Sequence, residues 1–162
     1  MFDSHAYFEK QVRDKMKLTV QGGYTYARIT SMQHLEEVID NFRYAKAFFA
    51  VDDTEDGYTF SNGGAYFDRK AVTIYVLKQY RTGDMKSQKA AIEECRKIHK
   101  TVLKKLIRDK HLLENEMVYL VTDRIPYTEI PGNFINGCTG LFFTVPVNLP
   151  TDLSWNDEDW NE

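Results

Sequence analysis

The stretch from Met85 to about Lys110 constrains the fold most, because it reads as the longest helix of the chain and has two chemically different faces. At about 100° per residue, Ala91, Ile92, Cys95, Ile98, His99, Val102, Leu103 and Leu106 share one sector. Lys86, Arg96, Lys97, Lys100, Lys104 and Arg108 lie opposite. One face packs on the rest of the protein, and the other offers positive charge.

A second amphipathic helix is predicted over Ser31 to Phe42, where Met32, Leu35, Val38, Ile39 and Phe42 form an apolar stripe and Thr30 with Gln33 fits a capping box. A shorter one, Ser4 to Met16, follows a cap at Asp3 or Ser4. Strands are expected over Tyr44–Val51, Val72–Tyr80, Glu116–Thr122 and Leu141–Val147, with a further short strand at Tyr24–Ile29. Between the first two, Tyr58–Phe60 and Ala65–Phe67 flank Ser61, Asn62, Gly63 and Gly64, a turn signal for a small projecting hairpin. Pro126, Pro131, Gly132, Gly137 and Gly140 make Asp123–Gly140 a long loop, and Pro146 ends the last strand or puts it at an edge.

The expected fold is therefore α+β. Four antiparallel strands form a sheet with the two main helices on one face, in the order α-β-β-α-β-β after a short N-terminal helix. Residues 1–150 form one such domain and 151–162 an acidic tail containing Trp155 and Trp160. A chain of 162 residues, 43% hydrophobic, has enough apolar material for one core and little room for two. No apolar run approaches the roughly 20 residues of a bilayer span, and Met1–Lys10 lacks a secretory pattern, so a cytoplasmic chain without a membrane partner is expected. Cys95 and Cys138 are too few for a disulfide framework, which predicts reduced thiols.

Net charge is −3, but it is unevenly spread. Asp84–His111 has nine Lys or Arg against four Asp or Glu, whereas Thr151–Glu162 has five acids and no base. Asp52, Asp53, Glu55 and Asp56 make an acidic loop. The stripe Arg96, Lys97, Lys100, Lys104 and Arg108 suits solvation or a protein partner, and nucleic acid less, since no aromatic groove is interleaved with it. A basic face on one copy meeting acidic segments of the next would give a homo-oligomer, closed as a ring if the rotation closes. Trp155 and Trp160 either fold back on the sheet or anchor on a partner.

Catalytic and ligand signatures are weak. Cys95 and His99 lie one helical turn apart and could serve as metal ligands or as nucleophile and base, but His5, His34 and His111 complete no ligand set. The incomplete ligand count favours a packed thiol and a satisfied imidazole over a site. Asp52, Thr54, Asp56 and Gly57 resemble the start of a calcium loop, yet its twelfth position is Gly63 where a bidentate Glu is required. Asn136–Gly140 lacks the lysine of a phosphate loop and precedes a strand. No enzyme, cofactor or metal is expected.

The order of Ser31–Phe42, Tyr44–Val51, Val72–Tyr80, Met85–Lys110, Met117–Thr122 and Leu141–Val147, closed by Gly140-Leu-Phe-Phe-Thr-Val-Pro-Val, resembles the tail-terminator and tail-completion proteins of tailed bacteriophages. The resemblance covers about Thr30 to Pro150 and is architectural. It implies a small non-enzymatic protein that assembles into a ring, usually hexameric, on the end of a tail tube, with Asp52–Lys70 and Asp123–Gly140 contacting tube or neighbour. Such a protein resides in the host cytoplasm during assembly and then in the virion, with other tail proteins as partners. The leading helix and the Trp-containing tail depart from the family. Two other readings are an adaptor docking through its acidic tail, and an enzyme using Cys95 and His99.

Overall fold

A computed structural model describes residues 2–42, 44–54, 56–135 and 137–161. Glu55 of the acidic loop, Asn136 of the glycine-rich stretch and Glu162 of the tail lie outside them. The elements are α1 (Ser4–Lys10), a π-helical turn (Gln11–Lys15), α2 (Lys17–Gln21), β1 (Thr25–Arg28), α3 (Met32–Asn41), β2 (Ala47–Asp52), β3 (Gly57–Asn62), β4 (Ala65–Gln79), α4 (Met85–Asn115), β5 (Tyr119–Leu120), β6 (Tyr127–Ile135), β7 (Cys138–Thr151) and a 3₁₀ turn (Asp157–Asp159).

The fold is α+β, but its sheet is larger and mixed. Seven strands take the order β1-β2-β4-β7-β5, with β3 beside β4 and β6 beside β7. β1 runs parallel to β2, and every other pairing is antiparallel. Asp123–Gly140 is not the expected loop, because β6 pairs there with β7 from Tyr127 to Ile130 and again at Ile135. Residues 131–134, including Pro131 and Gly132, bulge out of that register.

Nor does Pro146 end β7, which pairs with β4 from Cys138 to Thr151. The Pro146 carbonyl accepts from Val121 N at 2.9 Å, on the β5 side. In an antiparallel strand the N–H and C=O of one residue point to the same neighbour. The donor that proline lacks is thus missing from the β5 side, and the β4–β7 ladder loses nothing.

The helices occupy opposite faces of the sheet, not one. Along β2, Ala47, Phe49 and Val51 join a core with Ile74, Val76, Cys95, Ile98, Val102, Leu106, Leu141 and Phe143 beneath α4, and with Phe8, Val12 and Met16 of the N-terminal helices. The alternate residues Phe48 and Ala50 join Tyr75, Leu77, Leu35 and Ile39 beneath α3. Because β1 and β2 are parallel, their connection α3 has to cross over a face of the sheet. α4 then covers the other face. All six residues of β2 are buried as a result.

Local chemistry sets the helix ends. Asp3 accepts from Ala6 N and Asp84 from Lys86 N and Ser87 N. The cap of α3 is Ser31, one residue later than expected, and it accepts from His34 N while His34 Nδ1 accepts from Thr30 N at 3.2 Å. α4 closes with Val118 N bonded to Leu113 O and Met117 N to Glu114 O, the paired bonds of a Schellman motif. Met117 sits in its left-handed position at φ 59°, where glycine is the usual occupant.

Candidate interaction surfaces

β2 and β3 act as one long strand against β4, interrupted by a bulge. Asp52 pairs with Thr73 and Gly57 with Lys70, so the connection between them, of which Asp53, Thr54 and Asp56 are described, is set against only Ala71 and Val72. The expected acidic loop is this bulge. Asp52 is buried, its Oδ1 accepting from Thr54 N and Oγ1 while Oδ2 has no partner among the described residues. Asp53 Oδ2 accepts from Ser4 Oγ at 2.7 Å, and its Oδ1 lies 3.1 Å from His5 Nε2. A carboxylate only accepts, so Nε2 carries a proton towards Asp53, and Nδ1 lies 2.8 Å from the Tyr26 hydroxyl. Burial works against the Asp53 carboxylate, but Ser4 and His5 outweigh it and hold its pKa below the usual range. Two members of the acidic set thus pin α1 to the sheet or lie buried, and Asp56 remains exposed.

On α4 the expected basic side faces outward. Arg96 forms a bidentate pair with Glu129 of β6, at 2.5 and 2.9 Å. Lys97, Lys100, Lys104 and Arg108 are exposed, with Lys100 Nζ 5.7 Å from the Tyr127 ring centroid. Beside them a groove of about 590 Å³ opens between α4 and the N-terminal helices, lined by Tyr7, Lys10, Lys15, Met16, Lys105 and Arg108 among others. At its edge Asp109 accepts from Tyr7 OH at 2.7 Å and pairs with Lys105 Nζ at 2.8 Å. Burial raises the Asp109 pKa, but these two hydrogen bonds outweigh it and the net shift is downward.

Cys95 and His99 lie on the covered side of α4. Burial pushes the Cys95 thiol up to about 12, and Tyr24 OH, 4.0 Å from its sulfur, does not reverse that. His99 packs against Phe143 and Tyr127, with ring centroids 4.5 and 5.2 Å away, and its Nε2 has no hydrogen-bond partner among the described residues. Burial, helped by Lys100, lowers its pKa to about 4. A high thiol pKa beside a low imidazole pKa opposes formation of a thiolate–imidazolium pair. No group of three or more His, Cys, Asp or Glu among the described residues is arranged to hold a metal ion, and no helix there is long and apolar enough to cross a membrane.

Local sequence pattern does not reveal the aromatic surface on the sheet. Cross-strand partners share a face, so Tyr58 with Arg69, Phe60 with Phe67, and Tyr119 with Asn148 form one strip over β3, β4, β7 and β5. Phe60 and Phe67 stack at 5.6 Å, and Phe67 meets Tyr119 edge-on at 6.1 Å. The Arg69 guanidinium lies 5.5 Å from the centroids of both Tyr58 and Phe60, and its Nε donates to Asn148 Oδ1 at 2.8 Å. Tyr58 is 56% exposed. Pairing these residues requires the register of a long β4; the alternation of Tyr58, Phe60, Phe67 and Arg69 around the Gly63–Gly64 turn was the available signal.

In the tail, Trp155 and Trp160 stack on each other at 5.2 Å and 10° around the 3₁₀ turn, and Trp155 Nε1 donates to Asp157. Both indoles are exposed. No protein-family model matches the chain, and no curated protein matches it.

Proposed function

We propose that this chain is a non-enzymatic assembly subunit of a phage or phage-derived particle, forming a ring as a tail terminator or a tail-completion or connector subunit. The observation that carries this reading is the aromatic strip of Tyr58, Phe60, Phe67 and Tyr119 around Arg69, on sheet surface outside the core beneath α3. Exposed Tyr58 and Tyr119 beside half-buried Phe60 and Phe67, gathered around an arginine, have the composition of an interface core. The strip is concave, with Phe60, Phe67, Arg69, Tyr119 and Asn148 lining a hollow of about 430 Å³, and a side chain projecting from a neighbouring subunit would fill it as an anchor.

Further support comes from the hairpin ended by Gly63 and Gly64, from the edge strands β1 and β5, and from the separated basic and acidic surfaces. The order of helix, strands, helix and strands still resembles the tail-terminator family once the strands are extended. In this reading the subunit is made in the host cytoplasm and ends in the virion.

Electron microscopy of the purified chain, alone and mixed with a tail-tube protein from the same genome, tests the proposal. Rings that cap tube ends are expected. A particle that never forms rings and never binds tubes overturns it. The outward Trp pair also favours an adaptor that docks through its tail; that reading fails if deleting Thr151–Glu162 leaves partner binding intact.

A further inference from the structure

The groove beside α4 and the tail beyond β7 have complementary chemistry. Lys10 and Lys15 on one wall and Arg108 on the other form no ion pair among the described residues, while Tyr7 and Met16 supply apolar surface between them. The tail carries Asp152, Asp157, Glu158 and Asp159 without a base, and its stacked Trp155 and Trp160 are 64% and 59% exposed. Its described hydrogen bonds close on itself, from Ser154 to Asp152, Trp155 to Asp157 and Glu158 to Asn156. The tail is thus a folded hook with two indoles and a set of carboxylates presented outward.

We infer that the groove of one copy receives the Trp155–Trp160 hook of a second copy. The indoles enter against Tyr7 and Met16, and the tail carboxylates face Lys10, Lys15 and Arg108. The inference rests on the assembly reading in one respect, that copies of the chain associate.

Geometry favours the second copy over the hook's own groove. The tail leaves the sheet at Thr151, beside Tyr66 and near Glu116–Val118 past the end of α4. Along α4 the groove runs from Arg108 to Thr101, about 11 to 21 Å before Asn115 at 1.5 Å per residue, and the hook of the same chain, with both indoles exposed, does not lie in it. Trp155 reaches at most about 14 Å from Thr151, and Trp160 is stacked upon it. Two indoles bury about 150–250 Å² each, roughly half of the ~800 Å² that one partner contributes to a standard interface. The hook is therefore one arm of a larger contact. A hook on one copy and a groove on the next make a head-to-tail contact, the kind that generates rings.

Trp155 and Trp160 are the only 2 tryptophans, so Trp emission of the full-length chain reads the hook alone. Raising protein concentration at low salt is expected to shift emission to the blue and to cut acrylamide quenching severalfold, and added salt is expected to reverse both. Two full-length variants then separate the halves of the contact. Lys10→Glu/Arg108→Glu keeps the hook but reverses the groove, and its emission stays that of exposed indole at every concentration. Trp155→Ala/Trp160→Ala keeps the groove and gives no tryptophan emission. Titrating the second variant into the first restores the blue shift, because the only tryptophans present enter the only working grooves.

The inference is overturned by emission that never changes with concentration, by a blue shift already complete in the dilute monomer, or by a titration that restores nothing. An oligomeric wild type with exposed indoles removes the hook contact and leaves the assembly reading standing. A wild type monomeric at every concentration removes both.

Discussion

The two halves of the long strand β4 contrast sharply. From Val72 to Leu77 every residue is buried, with α4 over one face and α3 over the other. From Ala65 to Lys70 the same strand is half-buried or exposed and carries Phe67 and Arg69 in the aromatic strip. Pairing continues through both halves, since β7 runs beside β4 from Tyr66 to Gln79. What differs is cover, so the clad half holds the fold together and the bare half is free to serve as a surface.

Substitutions of similar chemistry should therefore split by half. Phe49 is fully buried against Phe8 and Tyr26, and Phe49→Ala is expected to cost about 4 kcal/mol. Phe60→Ala in the strip should cost under about 1 kcal/mol. Urea unfolding of both variants checks this, and equal losses would erase the distinction. Gly140 tests the backbone of the clad half, because a Cβ there would sit 1.9 Å from the Val76 carbonyl oxygen. Gly140→Ala should push β7 from β4 at a cost of about 3 kcal/mol, read in the same experiment.

The next effect depends on pH. His99 has a folded pKa of about 4, below the unfolded value of about 6.5, so protonation favours the unfolded chain. The full contribution of this site is present above pH 6.5 and is lost as pH falls toward 4, by up to about 3 kcal/mol. Asp53, Asp109 and Glu129, whose pKa values are lowered, add losses only at more acidic pH. Melting temperatures between pH 7 and 4.5 should fall in the wild type, and His99→Phe should flatten the slope. The smallest effect is a gain: Met117→Gly relieves a left-handed residue at the end of α4 and should add up to about 1 kcal/mol.

Much of the clad half was legible in the sequence, because packed helices and strands impose periodicity. The buried side of α4, from Ala91 to Leu106, matches the sector drawn from spacing, and the Gly63–Gly64 turn sits where expected. The placement of α3 was not read. Ala47-Phe-Phe-Ala-Val is a continuous apolar run, the mark of a strand covered on both faces, and a single covered face would have required alternation. β6 escaped because Pro131 and Gly132 signal a loop, whereas here they occupy a bulge within a strand. The acidic loop read as a solvated docking surface because the groups that hold the Asp53 carboxylate, Ser4 and His5, are far away in the chain. The aromatic strip depends on cross-strand register over four strands, which local pattern does not encode.

In the proposed function the bare half of the sheet meets other subunits. Light scattering of size-fractionated full-length protein over a wide concentration range tests it most directly, comparing the wild type with Tyr58→Ser/Phe60→Ser. A wild-type mass that is a multiple of 18.9 kDa is expected, falling toward 18.9 kDa in the variant while the melting temperature stays nearly unchanged. A wild type that remains at 18.9 kDa at every concentration, or a variant that keeps the full assembly mass, would contradict it.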